Sequence, residues 1–553
     1  MNPDQRRRCF IDCPPVGTLQ EQPCTRTACP HRAWERMRLA VIDHPRRTLD
    51  LNAGNLAIEN IERFGEYPIL HWRGTTISNV ELDAKARRLA SVLRQRGIGI
   101  GDRVAVVMPN CPEVFEAFQA VWKIGAVILP VRPQLAVPEI QHMLRDSGAS
   151  AVISTVELVP LIRQACPELP LLLTLGGQSV EGAVALAAET AGAGPLAEMT
   201  HRSGHDLALL LYTSGTTGRP KGVMLTHDSV AAVPHPKMVD LPPFMPTLHA
   251  LPLSHSFGVL MMNLGFIKGM QAKLLVHWDT RLVFEAIQEL RVMRFSMVPT
   301  MLTYMLEFPD RDRYDTSSLE SVWTGGAPLP DAVRREFEEV FACRIRDGYG
   351  MTESGGAGAA YYDEDVFRPG SVGRAQPDTS IRVVDENGAD VAAGTQGEIL
   401  IGGPTLMAGY WRNQKATEEA LMDGWLYSGD IGYLDEDGYL YITDRKKDLI
   451  IKGGENISPR EIEEALYAHE AVAEAVVFGV PDARFGENLW AAVAPSGDVE
   501  VREEDLLRHV ATRVTRFKVP ARIFVLDEIP KNATGKLQKR AVRDRLLAGD
   551  GTA

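Results

Sequence analysis

The chain has 553 residues, of which 45% are hydrophobic and 24% charged, so we expect a globular protein of two or three domains. Its formal net charge is −13, with 72 acidic residues against 59 lysines and arginines, which argues against nucleic acid as the main partner. The seven cysteines give no disulfide framework, and we therefore expect a cytoplasmic protein.

An N-terminal extension is predicted over residues 1–45, which show little apolar periodicity. It contains four of the seven cysteines and a nearby histidine: Cys9, Cys13, Cys24, Cys29 and His31. Their spacing matches no zinc pattern well, so a loosely ordered extension is favoured over a metal site. Its first residues lead into no apolar segment, so no secretory signal is expected.

From Gly74 onward, helix-like and strand-like segments alternate along the chain. Ser78, followed by Glu81, forms a helix-start pattern, and a helical apolar period then runs until Gly97. The apolar residues of this helix are Leu82, Ala86, Leu89, Ala90 and Leu93. Strand-like runs follow at 104–108, 126–131 and 151–154, separated by helix-like segments. This order predicts an α/β domain with a largely parallel sheet.

A loop rich in hydroxyls and glycines lies between two apolar runs, at residues 213–222. Glycines allow close backbone approach, so successive N–H groups can form a nest for phosphate oxygens. Arg219 and Pro220 separate Gly218 from Lys221, so the loop is not a Walker loop. A phosphate site is favoured over a plain surface turn. Its predicted residues are Thr213, Ser214, Gly215, Thr216, Thr217, Gly218 and Lys221.

This loop resembles the signature of the adenylate-forming superfamily, which includes acyl-CoA synthetases, aryl-CoA ligases, luciferases and amino-acid adenylation domains. The resemblance continues through later motifs, over about residues 50 to 545. It implies a large α/β adenylation domain with mixed and parallel sheets at 46–444, and a small mobile α+β domain at 445–553 joined to it by a hinge. It also implies ATP, Mg²⁺ and coenzyme A as cofactors.

The stretch from Leu251 to Val259 places His255 and Phe257 between apolar segments. A lone histidine is more often a core residue, and only the resemblance, in which the matching stretch lines the carboxylic-acid pocket, makes these two residues substrate contacts. The amino-acid-activating branch has an aspartate near this point. Here Ser254 and Ser256 flank His255 without a carboxylate, which speaks against an amino acid substrate.

The pocket predicted from the sequence is apolar and carries no charge, so amino acids and dicarboxylates are expected to be poor substrates. Its predicted residues are Phe257, Met261, Met262, Val298, Trp323, Gly325, Met351 and Ala357. Glycines at 355, 356 and 358 leave room for a long chain, so a fatty acid is favoured. An aryl acid stays an alternative, because a flat wall such as Trp323 also suits a benzoate.

Two further motifs resemble the nucleotide site of the superfamily. The turn with Gly325, Gly326 and Ala327 resembles the wall beside adenine. The second motif comprises Asp347, Gly348, Tyr349, Gly350, Met351, Thr352 and Glu353. We expect the ring of Tyr349 to stack on adenine, the hydroxyl of Thr352 to meet the α-phosphate, and Glu353 to be an oxygen ligand of Mg²⁺.

The last motifs lie around the predicted domain boundary. By resemblance, Asp430 accepts hydrogen bonds from both ribose hydroxyls, Arg445 reaches the ribose, and Lys447 is the hinge. Gly453 and Gly454 resemble the loop that lines the pantetheine tunnel. The next helix is predicted to begin with a capping hydroxyl from Ser458, Pro459 at its first position and Glu461. Finally, Lys536 matches the catalytic lysine of the superfamily.

Together these residues predict an acyl-CoA ligase that forms an acyl-adenylate from ATP and then an acyl thioester with CoA. Two alternatives share the motifs: an enzyme that loads a carrier protein, and a silent nucleotide-binding scaffold, which the complete set of catalytic residues disfavours. The apolar stretch 251–270 is interrupted by polar residues, so no membrane-spanning helix is predicted. Peripheral membrane contact and a homodimer remain open.

Overall fold

The computed structural model describes residues 52–175, 180–213, 220–232, 241–453, 455–482, 484–497, 501–531 and 536–549. Several predicted features lie outside these residues: the N-terminal extension with its cysteines, Ser214 to Gly218 of the phosphate loop, and Gly454.

Helices and strands alternate in the first part of the fold. They are α1 (Asn55–Phe64), β1 (Pro68–Trp72), β2 (Thr75–Ser78), α2 (Asn79–Gln95), β3 (Arg103–Val107), α3 (Pro112–Lys123), β4 (Val127–Val131), α4 (Val137–Ser147), β5 (Ala151–Thr155), α5 (Val159–Ala165), β6 (Leu172–Leu175), β7 (Val184–Ala185), α6 (Leu186–Gly192), β8 (Leu207–Thr213), β9 (Lys221–Thr226) and α7 (His227–Ala231). Their main sheet has the order β9-β8-β4-β3-β5-β6-β7, in which only β9 is antiparallel to its neighbour. The predicted parallel sheet is confirmed.

Helix α2 illustrates how the local sequence sets these elements. The backbone N–H of Glu81 donates to Ser78 Oγ at 3.1 Å, so the predicted cap forms. The apolar residues predicted for this helix are all buried, at 2% exposure or less. Gly97, with φ of 84°, turns the chain away after the helix.

The middle of the chain builds two further sheets. Its elements are β10 (Pro246–His249), α8 (Ser256–Lys268), β11 (Gln271–Leu274), α9 (Thr280–Leu290), β12 (Arg294–Met297), α10 (Pro299–Leu306), β13 (Ser321–Thr324), α11 (Asp331–Phe341), β14 (Arg344–Gly350), β15 (Gly358–Ala360), β16 (Ser371–Ala375), β17 (Ser380–Val384), β18 (Gly397–Gly402), β19 (Gly409–Tyr410), α12 (Gln414–Ala420), β20 (Leu421–Met422), β21 (Trp425–Leu434), β22 (Tyr439–Arg445) and β23 (Ile450–Lys452). One sheet has the order β10-β11-β1-β2. The other has the order β12-β13-β14-β15-β16-β22-β21-β18-β17, with β20 beside β21.

In the larger of these two sheets, the strand pairing changes from parallel to antiparallel at β14. Strands β12, β13 and β14 are parallel, whereas β15 pairs with β14 in the antiparallel sense. Strand β19 does not join this sheet but extends the first one, antiparallel to β9. The carboxyl ends of β8, β13 and β14 therefore border the place where ligands are expected in open α/β sheets.

The C-terminal part is a small α+β unit with its own sheet and core. Its further elements are β24 (Glu455–Ile457), α13 (Pro459–Tyr467), β25 (Val472–Asp482), β26 (Gly486–Pro495), α14 (Glu503–Ala511), β27 (Arg522–Val525) and α15 (Lys539–Leu547). The strands are ordered β24-β23-β26-β25, with β27 beside β26. Its core includes Ile462, Leu466 and Leu506, all fully buried. Short 3₁₀ helices in the chain are Val156–Leu158, Arg311–Arg313, Thr352–Ser354 and Arg516–Lys518.

The start of α13 differs from the prediction. Ser458 is its N-cap residue, but its hydroxyl makes no capping bond and instead donates to Asp444 Oδ2 at 2.6 Å. The same carboxylate oxygen accepts the backbone N–H of Arg460 at 3.3 Å. A charged acceptor is stabilising at a helix N-terminus, so Asp444 takes the role predicted for Ser458.

Among the residues that the structure describes, no helix is both long enough and apolar enough to cross a membrane.

Candidate active site

A cavity of about 630 Å³ lies where β8, β13, β14, α8 and β21 meet. Most of the site residues predicted from the sequence line it, although they come from distant parts of the chain. They are Thr213, Lys221, His255, Phe257, Gly325, Gly326, Asp347, Gly348, Tyr349, Gly350, Met351, Thr352, Glu353, Asp430, Arg445, Lys447 and Lys536. The fold therefore brings together in one cavity predicted site residues that are more than three hundred residues apart in the sequence.

Two predicted residues lie elsewhere. Ala327 lines a second cavity of about 540 Å³, which shares His255, Phe257 and Lys536 with the first. Gly453 follows β23, where its N–H donates to the carbonyl of Phe485, and it lines neither of these two cavities.

Glycines make room in the first cavity because the strands around it approach closely. A Cβ at Gly350 would lie 2.3 Å from the carbonyl oxygen of Gly356, and one at Gly325 would lie 3.2 Å from that of Gly348. Larger side chains at these two positions would therefore force the backbone apart.

Asp430 joins the two hydrogen-bonding groups that surround the predicted ribose position. Tyr349 donates its hydroxyl to Asp430 Oδ2 at 2.6 Å, and Arg445 Nε lies 3.1 Å from Oδ1. Burial, together with the Asp430 carboxylate, raises the pKa of Tyr349 well above its usual value, so the phenol stays a donor. Each carboxylate oxygen has two lone pairs, so Asp430 can still accept bonds from a diol.

Tyr410 is a site residue that the sequence reasoning missed. Its hydroxyl donates to Glu353 Oε1 at 2.9 Å, and the ammonium of Lys221 lies 5.0 Å from its ring centre. It lies on β19, a strand of two residues that shows no periodicity of its own. Only the pairing of β19 with β9, nearly two hundred residues earlier, brings it here.

Glu353 offers a hard oxygen ligand beside the predicted phosphate position. The described ranges contain no group of three or more His, Cys, Asp or Glu residues that could hold a metal ion. Mg²⁺ commonly binds through one or two carboxylates, water and substrate phosphates, so a single glutamate fits this ion.

Ser256 and Thr352 lie where the predicted nucleotide side of the cavity meets α8. Their hydroxyl oxygens are 3.2 Å apart. His255 precedes the helix and accepts the N–H of Phe257 at its Nδ1, at 3.3 Å. Burial, aided by the cations Arg132 and Lys536, lowers the pKa of His255 to about 4, so its ring is neutral.

Lys536 reaches the cavity from the small C-terminal unit. Burial lowers its pKa from the usual 10.5 to about 8, an effect that Arg445 increases and Asp430 opposes. Lys447, which follows β22, also lines the cavity, and burial lowers its pKa as well. Lys536 therefore carries its charge at neutral pH but loses it more readily than an exposed lysine.

The predicted acyl pocket needs a correction. Met262 and Ala357 are buried in the core at 1% and 2% exposure and do not line the cavity, and Val298 lines only the second cavity. Leu260, Leu264 and Ala360 take part instead. The expectation that no charge lines the pocket is wrong, because Lys268 and Arg346 also line this cavity.

Comparison with known proteins agrees with this geometry. The family model described as AMP-binding enzyme matches residues 58–411, and the model described as AMP-binding enzyme C-terminal domain matches residues 461–536. The long-chain-fatty-acid–CoA ligase FadD13 of Mycobacterium tuberculosis is 36% identical over 85% of this chain and 93% of its own length. A feruloyl-CoA synthase of Amycolatopsis is 37% identical over 85% of this chain and 94% of its own length.

A solved structure, ATP-bound MatB from Rhodopseudomonas palustris, shares 31% identity and a TM-score of 0.83, covering 90% of this chain and 98% of that one. These matches extend over both the large N-terminal and the small C-terminal domain. The chain therefore belongs to the AMP-binding enzyme family, as an AMP-forming acid–thiol ligase that makes acyl-CoA through an acyl-adenylate.

Proposed function

We propose that this enzyme activates a carboxylic acid with an extended apolar chain, with Mg²⁺ and ATP, and transfers the acyl group to CoA. The main support is one cavity that joins two environments. One side of the cavity is polar and is lined by hydroxyl groups and by Glu353, Asp430 and Lys536. The other side is lined by the apolar residues of α8. Such a cavity suits a nucleotide and an apolar chain that meet at one carboxylate.

In the first step, the carboxylate attacks the α-phosphorus and pyrophosphate leaves. Catalysis then depends mainly on positioning and on neutralising the charge of converging anions. Asp430 and Arg445 would hold the ribose, Tyr349 would lie against adenine, and Thr352 would bond the α-phosphate. The ammonium of Lys536 would lie between the carboxylate and the phosphate.

Glu353 would hold Mg²⁺ together with the phosphates, and Tyr410 would orient the carboxylate of Glu353. The ion would supply positive charge next to the leaving pyrophosphate. Lys221 and the N–H groups of the adjoining loop would bind the same phosphates.

In the second step, the small domain turns about Lys447, with residues 46–444 and 445–553 as the two bodies. Lys536 would leave the site, and the loop with Gly453 and Gly454 would line the path of the pantetheine arm. The thiolate of CoA would then attack the acyl carbonyl and release AMP. In the structure, before any such rotation, Gly453 lines neither cavity. This position is consistent with a loop that acts only in the second step.

The apolar residues that α8 presents to the cavity favour a fatty acid over an aryl acid. We further propose a cytoplasmic enzyme, where ATP and CoA are available. Peripheral membrane contact and a homodimer are compatible with this function but not required by it.

Pyrophosphate release with ATP tests this function, measured with and without CoA over C2 to C18 fatty acids and a panel of aryl acids. We expect release with medium or long fatty acids and acyl-CoA only when CoA is added. Faster turnover on an amino acid than on octanoate or benzoate would contradict the substrate class. Acyl transfer to a carrier protein but not to CoA would contradict the acceptor.

A further inference from the structure

The part of the cavity that lies along α8, from the start of the helix to Lys268, is called the acyl channel. Its reaction end lies at the start of α8, where Ser256 Oγ is 3.2 Å from Thr352 Oγ1. Phe257, Met261, Leu264 and Lys268 line the channel at spacings that keep them on one face of the helix. Twelve residues separate Ser256 from Lys268, about 18 Å along a helix axis. The helix wall of the channel therefore ends in a cation.

The opposite wall is formed by the sheet and also ends in a cation. Ser296, Trp323 and Arg346 are Cα partners on β12, β13 and β14, so they share one face of the sheet. This face is turned towards α8, because Ser296 Oγ lies 2.9 Å from Met261 Sδ. Arg346 lies four residues before Gly350, the last residue of β14, which is a distance of about 13 Å along the strand.

Arg346 has one donor that the protein does not use. Its side chain is 10% exposed, its Nη1 donates to the carbonyl of Tyr362 at 3.0 Å, and its Nη2 pairs with Asp363 at 2.5 Å. Its Nε–H is buried and has no acceptor among the described residues. Asp363 also pairs with Arg294 at 3.7 Å, so one carboxylate is shared between two guanidinium groups.

We propose that the enzyme prefers acids whose apolar chain ends in an oxygen acceptor, and above all in a second carboxylate, which binds at Arg346, with Lys268 as a second cation that lines the same cavity. This inference rests on the proposed function and names its substrate class. A terminal methyl would leave the buried Nε–H unpaired, whereas a carboxylate would satisfy it with a charge-assisted bond. A span of 13 Å corresponds to about eleven bonds of extended chain, at roughly 1.2 Å per bond. Dicarboxylic acids of ten to twelve carbons fit this span.

The test compares decanedioic acid, its monomethyl ester and decanoic acid by kcat/KM for pyrophosphate release. We expect wild-type enzyme to favour the diacid over decanoic acid by about tenfold or more, as a hydrogen bond to a charged group predicts, with the ester between them. R346M should abolish this preference, so that kcat/KM for the diacid falls to the level of decanoic acid. R344M is the matched control, because Arg344 lies on the same strand but is exposed and lines neither cavity. It should keep the preference.

A second variant is needed because R346M also removes the ion-pair partner of Asp363 and could therefore disturb the fold. K268M leaves that ion pair in place and should lower the preference for the diacid several-fold. Wild-type preference for decanoic acid, or an equal preference in wild type, R346M and K268M, would overturn the inference while leaving the ligase activity established. Pyrophosphate release with none of the acids would overturn the proposed function as well.

Discussion

At the scale of single residues, the lowered pKa of Lys536 predicts how acyl-AMP formation depends on pH. The pKa of Lys536 is about 8, so its amine is protonated below that pH. The protonated ammonium is the form that neutralises charge between the two anions. The first half-reaction should therefore be fastest below pH 8 and fall as the pH rises through that value. Pyrophosphate release without CoA, measured from pH 6 to 10, checks this.

Of the charged groups that surround Lys536, Arg445 and Lys447 lower its pKa, whereas Asp430 and Asp448 raise it. The residual activity of K536A serves as the control, since it should lack the alkaline fall. An alkaline fall with the same midpoint in K536A would assign it to another group.

Tyr410 gives a second prediction at this scale. Y410F keeps the ring beside Lys221 but removes the bond to Glu353, which is worth about 1.5 to 3 kcal/mol for a charged acceptor. The Mg²⁺ concentration that half-saturates acyl-AMP formation should rise by about tenfold, because Glu353 loses the bond that orients it. Y433F, which changes a tyrosine stacked on Tyr441 and lining neither cavity, should behave like wild type. Unchanged Mg²⁺ dependence in Y410F would remove Tyr410 from this role.

At the scale of elements, the connection from β22 to β23 is the proposed hinge. Arg445 to Leu449 form a turn in which the N–H groups of Asp448 and Leu449 donate to the carbonyl of Arg445. K447P fixes φ within this turn and restricts Lys446 as well. Acyl-AMP should still form, whereas production of the CoA thioester should fall sharply. Rapid-quench assays of the two half-reactions measure this, and equal losses in both would remove Lys447 from the hinge.

Local sequence patterns predicted the helices and strands around the cavity better than they predicted the side-chain contacts between them. Strands β3, β8 and β9 follow from short apolar runs, and α2 from its cap and its apolar period. The cap of α13 could not be found this way, because Asp444 lies fourteen residues before the serine that it contacts. The sequence of α8 also does not predict which face of the helix lines the channel, because the helix is apolar on almost all sides.

Which side chains meet in the cavity depends on tertiary pairing. The motif residues were predicted because each motif is contiguous. Tyr410, Lys268 and Arg346 were missed because only strand register and helix packing bring them to the cavity. The roles assigned to the motif residues stay predictions.

At the scale of the whole molecule, two cavities share Lys536 at the junction of the large and small domains. We propose that this lysine acts in the first step alone. As the carboxylate approaches the α-phosphate, two anionic groups converge, and an ammonium between them stabilises the transition state more than the ground state. The second step is expected to proceed after the lysine has moved away with its domain.

The half-reactions of K536A test this claim most directly. From ATP and acid, acyl-AMP formation should fall by about three orders of magnitude or more, with little change in ATP binding. Supplied with premade acyl-AMP and CoA, the same protein should form acyl-CoA at close to the wild-type rate. An equal fall in both half-reactions would show that Lys536 serves both steps or only supports the structure, and would contradict the proposed rotation of the small domain.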